Sequence, residues 1–138
     1  MNNFALPTFA LISLVFVGCG NGENRTPTHT VRGKLTDGSK PLAHAQIVFH
    51  PVGGGAAETP KSHGKTDENG EFKLTTYDGN DGAPAGQYKV SVELWKTTTA
   101  DAGPVNQLPP KYADPDKSGL TATVAAGPTE LQPFVVKK

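Results

Sequence analysis

From Thr30 onward, apolar and polar residues alternate along the chain with a period of two. Val31, Gly33 and Leu35 alternate with Arg32, Lys34 and Thr36, the pattern of a half-buried strand. Asp37-Gly38-Ser39-Lys40-Pro41 is a turn cluster. Ala45, Ile47 and Phe49 alternate with Gln46, Val48 and His50, which predicts a second strand ended by Pro51. Residues 52–62 read as a loop with a run of three glycines and Pro60. His63 to Thr66 leads through Asp67-Glu68-Asn69-Gly70 into Phe72, Leu74 and Thr76, alternating with Glu71, Lys73 and Thr75. This predicts a β-hairpin in which Asp67 bonds the turn backbone and Gly70 takes positive φ, with Asn tolerated at 70 far better than Val. Residues 77–85 form a further loop. Residues 86–94 are the clearest strand, with Tyr88, Val90, Val92 and Leu94 inward and Lys89, Ser91 and Glu93 outward. A long connection, 95–118, carries Pro104, Pro109, Pro110 and Pro115. Strands over 120–124 and 130–136 close the chain.

No stretch of ten residues outside the N-terminal leader shows helical periodicity. Roughly seven short strands with frequent turn signals predict an all-β, antiparallel sandwich. The span 30–138 is a typical size for one, burying about 65% of its unfolded surface. Sixteen glycines and twelve prolines make up about a fifth of the chain, against a usual ~12%, which favours turns over helices. Thirteen basic and thirteen acidic residues give a net charge of zero. That excludes both charge-driven disorder and the basic footprint of a nucleic-acid binder. A single cysteine excludes an internal disulfide and a Cys-based zinc finger.

Residues 4–17 are almost wholly apolar, broken by Pro7, Thr8 and Ser13. The run is too short for the ~20-residue helix that crosses a bilayer, and suits the apolar region of a signal peptide. Phe16-Val17-Gly18-Cys19 resembles the bacterial lipobox: an apolar residue, two smaller ones, then Cys. The resemblance implies cleavage between Gly18 and Cys19 and acylation of the Cys19 thiol. Phe16 departs from the usual Leu, and the leader lacks Lys and Arg. The expected organisation is a lipoprotein signal peptide (1–18), a flexible tether with lipidated Cys19 (19–29) and one domain (30–138). More than one acyl chain, at ~0.8 kcal/mol per buried methylene, gives stable anchoring. The protein is then exported and membrane-anchored, facing the periplasm or the cell surface; Gly20 lacks the Asp that favours inner-membrane retention. A buried N-terminal helix, or a signal peptide cut elsewhere, are the alternatives.

Four segments in order carry a second resemblance. Val31-Arg32-Gly33-Lys34-Leu35 with Pro41-Leu42-Ala43-His44-Ala45-Gln46-Ile47-Val48-Phe49, then Thr66-Asp67-Glu68-Asn69-Gly70-Glu71-Phe72, then Pro84-Ala85-Gly86-Gln87-Tyr88-Lys89-Val90-Ser91-Val92, resemble carboxypeptidase-regulatory-like domains. Leu108-Pro109-Pro110-Lys111-Tyr112 and Ser118-Gly119-Leu120 are similar to the downstream part of planctomycete-type lipoproteins that carry this domain. His44 departs from the pattern, in which Gly often precedes the Ala of the second strand. The resemblance implies a transthyretin/prealbumin-like, seven-stranded Greek-key sandwich without catalytic activity of its own.

Candidate chemistry is sparse. His29, His44, His50 and His63 lack metal-ligand spacing, though His50 and His63 can approach across a sheet. Asp78-Gly79-Asn80-Asp81-Gly82 gathers oxygen ligands, so Asp78 and Asp81 are a weak Ca²⁺ candidate, but the EF-hand order fails. Trp95 and Tyr112 flank the long connection and are candidates for a sugar- or peptide-binding platform, or alternatively pins that hold the loop to the sheet. No Gly-x-Ser-x-Gly elbow is present. The expectation is a non-catalytic, cofactor-free binding, adhesion or structural module of the cell envelope, partnered by the membrane and by an envelope protein or glycan. A hydrolase, or an accessory domain of an envelope enzyme complex, is the alternative.

Overall fold

The computed structural model describes residues 24–53 and 55–138; the leader, Gly18 and Cys19 lie outside the described residues. Twelve strand segments follow in order: β1 (Thr28–His29), β2 (Val31–Thr36), β3 (Gln46–Pro51), β4 (Ser62–Lys65), β5 (Glu71–Lys73), β6 (Ala83–Pro84), β7 (Gly86–Glu93), β8 (Trp95–Lys96), β9 (Val105–Asn106), β10 (Leu120–Val124), β11 (Thr129–Glu130) and β12 (Phe134–Val135). One 3-10 turn, Pro110–Ala113, interrupts them. The protein is an all-β sandwich. One sheet runs β10-β7-β3-β4, all antiparallel. The other is built on β2, with β5 antiparallel on one edge.

Alternation decides what is buried. Leu35, Ile47, Phe49, Phe72, Leu74, Tyr88, Val90, Val92 and Leu94 all lie in the core, as their period-two spacing predicts. Aromatic rings tie the sheets together: Phe49 of β3 meets Phe72 of β5 at 6.3 Å and Phe134 of β12 at 6.2 Å in the facing sheet, and Tyr88 of β7 beside it in its own sheet at 5.6 Å. Such pairs add about 0.5–1.5 kcal/mol each beyond their burial. Gly33 faces Phe72 across the β2–β5 register, and the ring lies where a Cβ at 33 would stand, with 2.4 Å between them. Only glycine leaves that room. The Tyr88 hydroxyl donates to the Pro84 carbonyl at 2.6 Å, and burial pushes its pKa up to about 12.

Four features depart from the sequence reading. The expected hairpin splits: β4 bonds β3 and β5 bonds β2, so its arms enter different sheets. They still meet at both ends, through the His63–Thr75 bridge and the Asp67 N–H donating to Glu71. β4 has no apolar alternation of its own and is a strand because the β3 edge pairs with it. The C-terminal strand runs parallel to β2, contrary to the antiparallel expectation, and is cut into β11 and β12. Pro133, which has no N–H to give a ladder, lies in the gap. The long connection holds the small β8–β9 ladder. The end of the expected tether is docked: Arg25 pairs with Asp78 at 2.8 Å and sits over the Tyr77 ring, and β1 pairs with β6.

Candidate functional site

The seam between the sheets positions the site. At Gly64 of β4 a Cβ would stand 2.6 Å from the Lys73 carbonyl oxygen, so glycine there lets β5 come close. Side chains from β3, β4, β5 and β2 then line a groove of about 930 Å³. Gln46 and Val48 line it from β3, His63 and Lys65 from β4, Glu71 and Lys73 from β5, Arg32 and Lys34 from β2, and Glu130 from β11. Thr75 and Asn80 line one end and Asp67 the other.

Register sets the charges side by side. Arg32 stands directly opposite Lys73, and Glu130 opposite Arg32 on the other edge of β2. Lys65, on β4 across the seam, lines the same groove as Lys73. Lys65 in turn faces Gln46, and Gln46 faces Glu93. The cations Arg32, Lys73 and Lys65 thus form a row across three strands, all exposed. Among the described residues, the ion pairs are Arg25–Asp78, His44–Glu68, Lys89–Asp116 and Lys117–Asp114, so none neutralises this row. Like charges directly opposite each other destabilise a sheet.

The sequence candidates fare differently. Trp95 is half-exposed at 48%, and its Nε1–H donates to the Glu93 carboxylate at 2.6 Å. Since Leu94 points inward, Trp95 shares the outer face with Glu93, at the Gln46 end of the cation row. Tyr112 is buried and its hydroxyl accepts the Lys137 N–H at 2.9 Å. It pins the chain and offers no free ring, so the expected Trp95–Tyr112 platform reduces to Trp95.

Asp78 and Asp81 are both engaged within the protein. Asp78 holds Arg25. Asp81 accepts the backbone N–H groups of Thr76, Tyr77 and Asp78 at 2.7–3.2 Å. Burial acts to raise its pKa, but those N–H donors outweigh it and hold the carboxyl below its ordinary value. The pair organises a loop, and no group of three or more metal-ligating side chains gathers among the described residues.

His50 and His63 lie on the same outer face of the sheet, since β3 places His63 opposite Val48. His50 Nε2 meets the Ser91 hydroxyl at 2.8 Å. Burial, then the charge of Lys61, lowers the His50 pKa against an opposing pull from Asp116. Among the described residues no carboxylate is bonded to His50 beside that serine–histidine contact, and the nearby Asp116 bonds Lys89 at 2.6 Å. Ser91 is 5% exposed, and Ser62 and Ser118 are buried with bonds to Thr76 and to the Val90 carbonyl. Sequence reasoning missed the cation row. Arg32, Lys65 and Lys73 each occupy an outward position, which in a sequence reads as an ordinary solvated face.

No protein-family description matches the chain, and no curated protein matches it. Among solved structures, the chain is similar to the crystal structure of a 9R-lipoxygenase from Cyanothece PCC8801, at 21% identity and a TM-score of 0.40. The match covers 80% of this chain and 16% of that one. A likeness that remote does not bear on function.

Proposed function

We propose that this protein is a lipid-anchored, non-catalytic binding module of the bacterial cell envelope, acting through the groove along the β4–β5 seam. The observation that carries this reading is the groove itself: concave, lined mainly by polar and charged side chains, and open to solvent, with half-exposed Trp95 outside its lining on the same sheet face. Binding sites are concave and place a few polar groups to orient a ligand. In this reading the domain is a carboxypeptidase-regulatory-like sandwich of seven-stranded, Greek-key, transthyretin-like type. The lipobox-like Phe16 to Cys19 supports export and acylation.

The docked spacer supports a particular display. From Cys19 to Asn24 the chain reaches at most about 18 Å when fully extended. Arg25 and Thr26 are held by Tyr77 and Asp78, in the loop that also carries Asn80 at one end of the groove. The groove therefore begins near the anchored end, and its Asp67 end lies away from it.

Mass spectrometry of membrane-fraction protein should find acyl mass on Cys19, and Cys19→Ser should leave the membrane fraction or stay unprocessed. The detergent-solubilised full chain should sediment with isolated envelopes of its source cells that have been stripped of lipid, so that the acyl chains have no bilayer to enter. Val48→Trp, which fills the groove floor, should abolish that retention. Thr123→Trp, on an exposed position of β10 outside the groove, should leave it intact. Loss in both variants, or in neither, rejects the groove as the binding face.

A further inference from the structure

We infer that the groove takes an acidic glycan, with carboxylate-bearing sugars set on the Arg32–Lys73–Lys65 row and a sugar ring stacked on Trp95; this rests on the binding reading above. The first observation is electrostatic. Arg32 and Lys73 are direct cross-strand neighbours, and Lys65 lines the same groove from β4. Opposition of like charges costs stability in the free protein. Among the described residues no ion pair closes on Lys73 or Lys65, and Glu130 opposite Arg32 offsets the repulsion on that side only. A carboxylate lying between these strands would bridge two cations at once, and Arg offers it a bidentate fork.

Acidic side chains bound the row rather than fill it. Glu130 stands beyond Arg32, Glu93 beyond Gln46, and Asp67 and Glu71 lie towards the turn, with Glu71 opposite Lys34. The positive field is therefore local, three cations wide, and suits spaced single charges rather than the continuous charge of a nucleic acid.

The second observation is independent and selects a sugar over an acidic peptide. Trp95 is among the exposed large apolar side chains, on the same face as the row. Its indole N–H is held by Glu93 at 2.6 Å, which fixes the ring and leaves its face to solvent. A fixed aromatic face packs on the apolar C–H side of a pyranose. Gln46 beside the row, and Thr75 and Asn80 at the groove end, add donors and acceptors suited to hydroxyl groups.

Calorimetric titration of the detergent-solubilised full chain with polygalacturonate tests this. Binding is expected, weakening steeply with salt, and absent for the methyl-esterified polymer, which keeps the sugar backbone without its charge. Lys73→Glu should weaken it about tenfold or more, near 1.4 kcal/mol per decade, yet should not lower Tm, because it removes the repulsion with Arg32. Arg32→Gln should weaken it in the same direction. Trp95→Ala should weaken polygalacturonate and leave any binding of polyglutamate unchanged. Equal binding of the methyl ester overturns the carboxylate assignment. Equal binding of polyglutamate with no effect of Trp95→Ala overturns the glycan in favour of an acidic peptide. If polygalacturonate fails while envelopes are still retained through the groove, the acidic-glycan inference falls and the binding reading stands.

Discussion

His44 stands at φ +62°, in the left-handed region where a Cβ meets a neighbouring carbonyl at a cost of roughly 1–2 kcal/mol. It is also the position where the resembling pattern carries glycine. The His44 side chain reaches Glu68 at 2.7 Å, but both are exposed, and such pairs contribute little. His44→Gly should therefore melt higher than His44→Ala by about 1 kcal/mol, since both lose the ion pair and only Ala keeps the strain; equal melts would mean the turn relaxes freely. Gly70 shows the opposite case. Its φ is +73°, and a Cβ there would lie 2.5 Å from the Leu35 carbonyl oxygen and 2.9 Å from Pro41. The expected tolerance of Asn at 70 does not follow, because the turn packs its glycine against β2. Both Gly70→Asn and Gly70→Val should cost more than about 2 kcal/mol, measurable by thermal melts. Asp67 behaves as its turn position requires, accepting the N–H groups of Asn69 and Glu71 at 2.9 Å each.

At the scale of elements, β7 sends Tyr88, Val90 and Val92 into the core, while Lys89 and Glu93 between and beyond them stay half-buried and Ser91 is covered on the outer face. Val90 is fully buried and pairs with Phe49 on one side and Leu120 on the other. Val90→Ala should destabilise by about 1–3 kcal/mol through lost burial and a residual cavity. Lys89, next along the strand, points outward to an exposed Asp116, so Lys89→Ala should cost under ~1 kcal/mol. Chemical denaturation of both variants measures the difference, and equal losses would contradict the alternation. The strands legible in the sequence, β2, β3, β5, β7 and β10, are those that carry their own apolar row. β4 was legible only as the leading arm of the hairpin, not as a partner of β3, and β8 and β9 were not legible, because Ser62-His63-Gly64-Lys65 and the short β8–β9 ladder have no apolar row and pair only through a neighbour's hydrogen bonds. The parallel course of β11 and β12 was hidden for the same reason: alternation names a face, and strand direction is fixed by partners.

At the scale of the whole molecule, pH stability should have an acid and an alkaline limb of identifiable origin. His50 has a folded pKa below its ordinary 6.5, so the unfolded chain takes up a proton first on acidification. Its contribution is complete above 6.5 and is lost as pH falls from there through the folded value. Asp81, held below its ordinary 3.8 in the fold, contributes above 3.8 and loses that as pH falls further. Tyr88, raised to about 12 from 10.0, stays protonated in the fold after the unfolded chain has ionised, so stability falls as pH rises from 10 towards 12. Melting temperatures across pH should show these limbs, with His50→Gln flattening the decline just below 6.5 and Tyr88→Phe flattening the alkaline one. An unchanged profile in either variant would assign that limb to other groups.

Local chemistry was enough to determine the all-β class, the inward residues of the long strands and the Asp67–Gly70 turn, because alternation and turn propensity act between near neighbours. Tertiary structure alone decided that the hairpin opens across two sheets, that Tyr112 and Asp81 serve the fold while Trp95 stays exposed, and that Arg32, Lys65 and Lys73 stand in one row. Those facts depend on register between segments far apart in the chain. A period of two says which face a side chain occupies but not which residue lies beside it, and a binding site is made of what lies beside what.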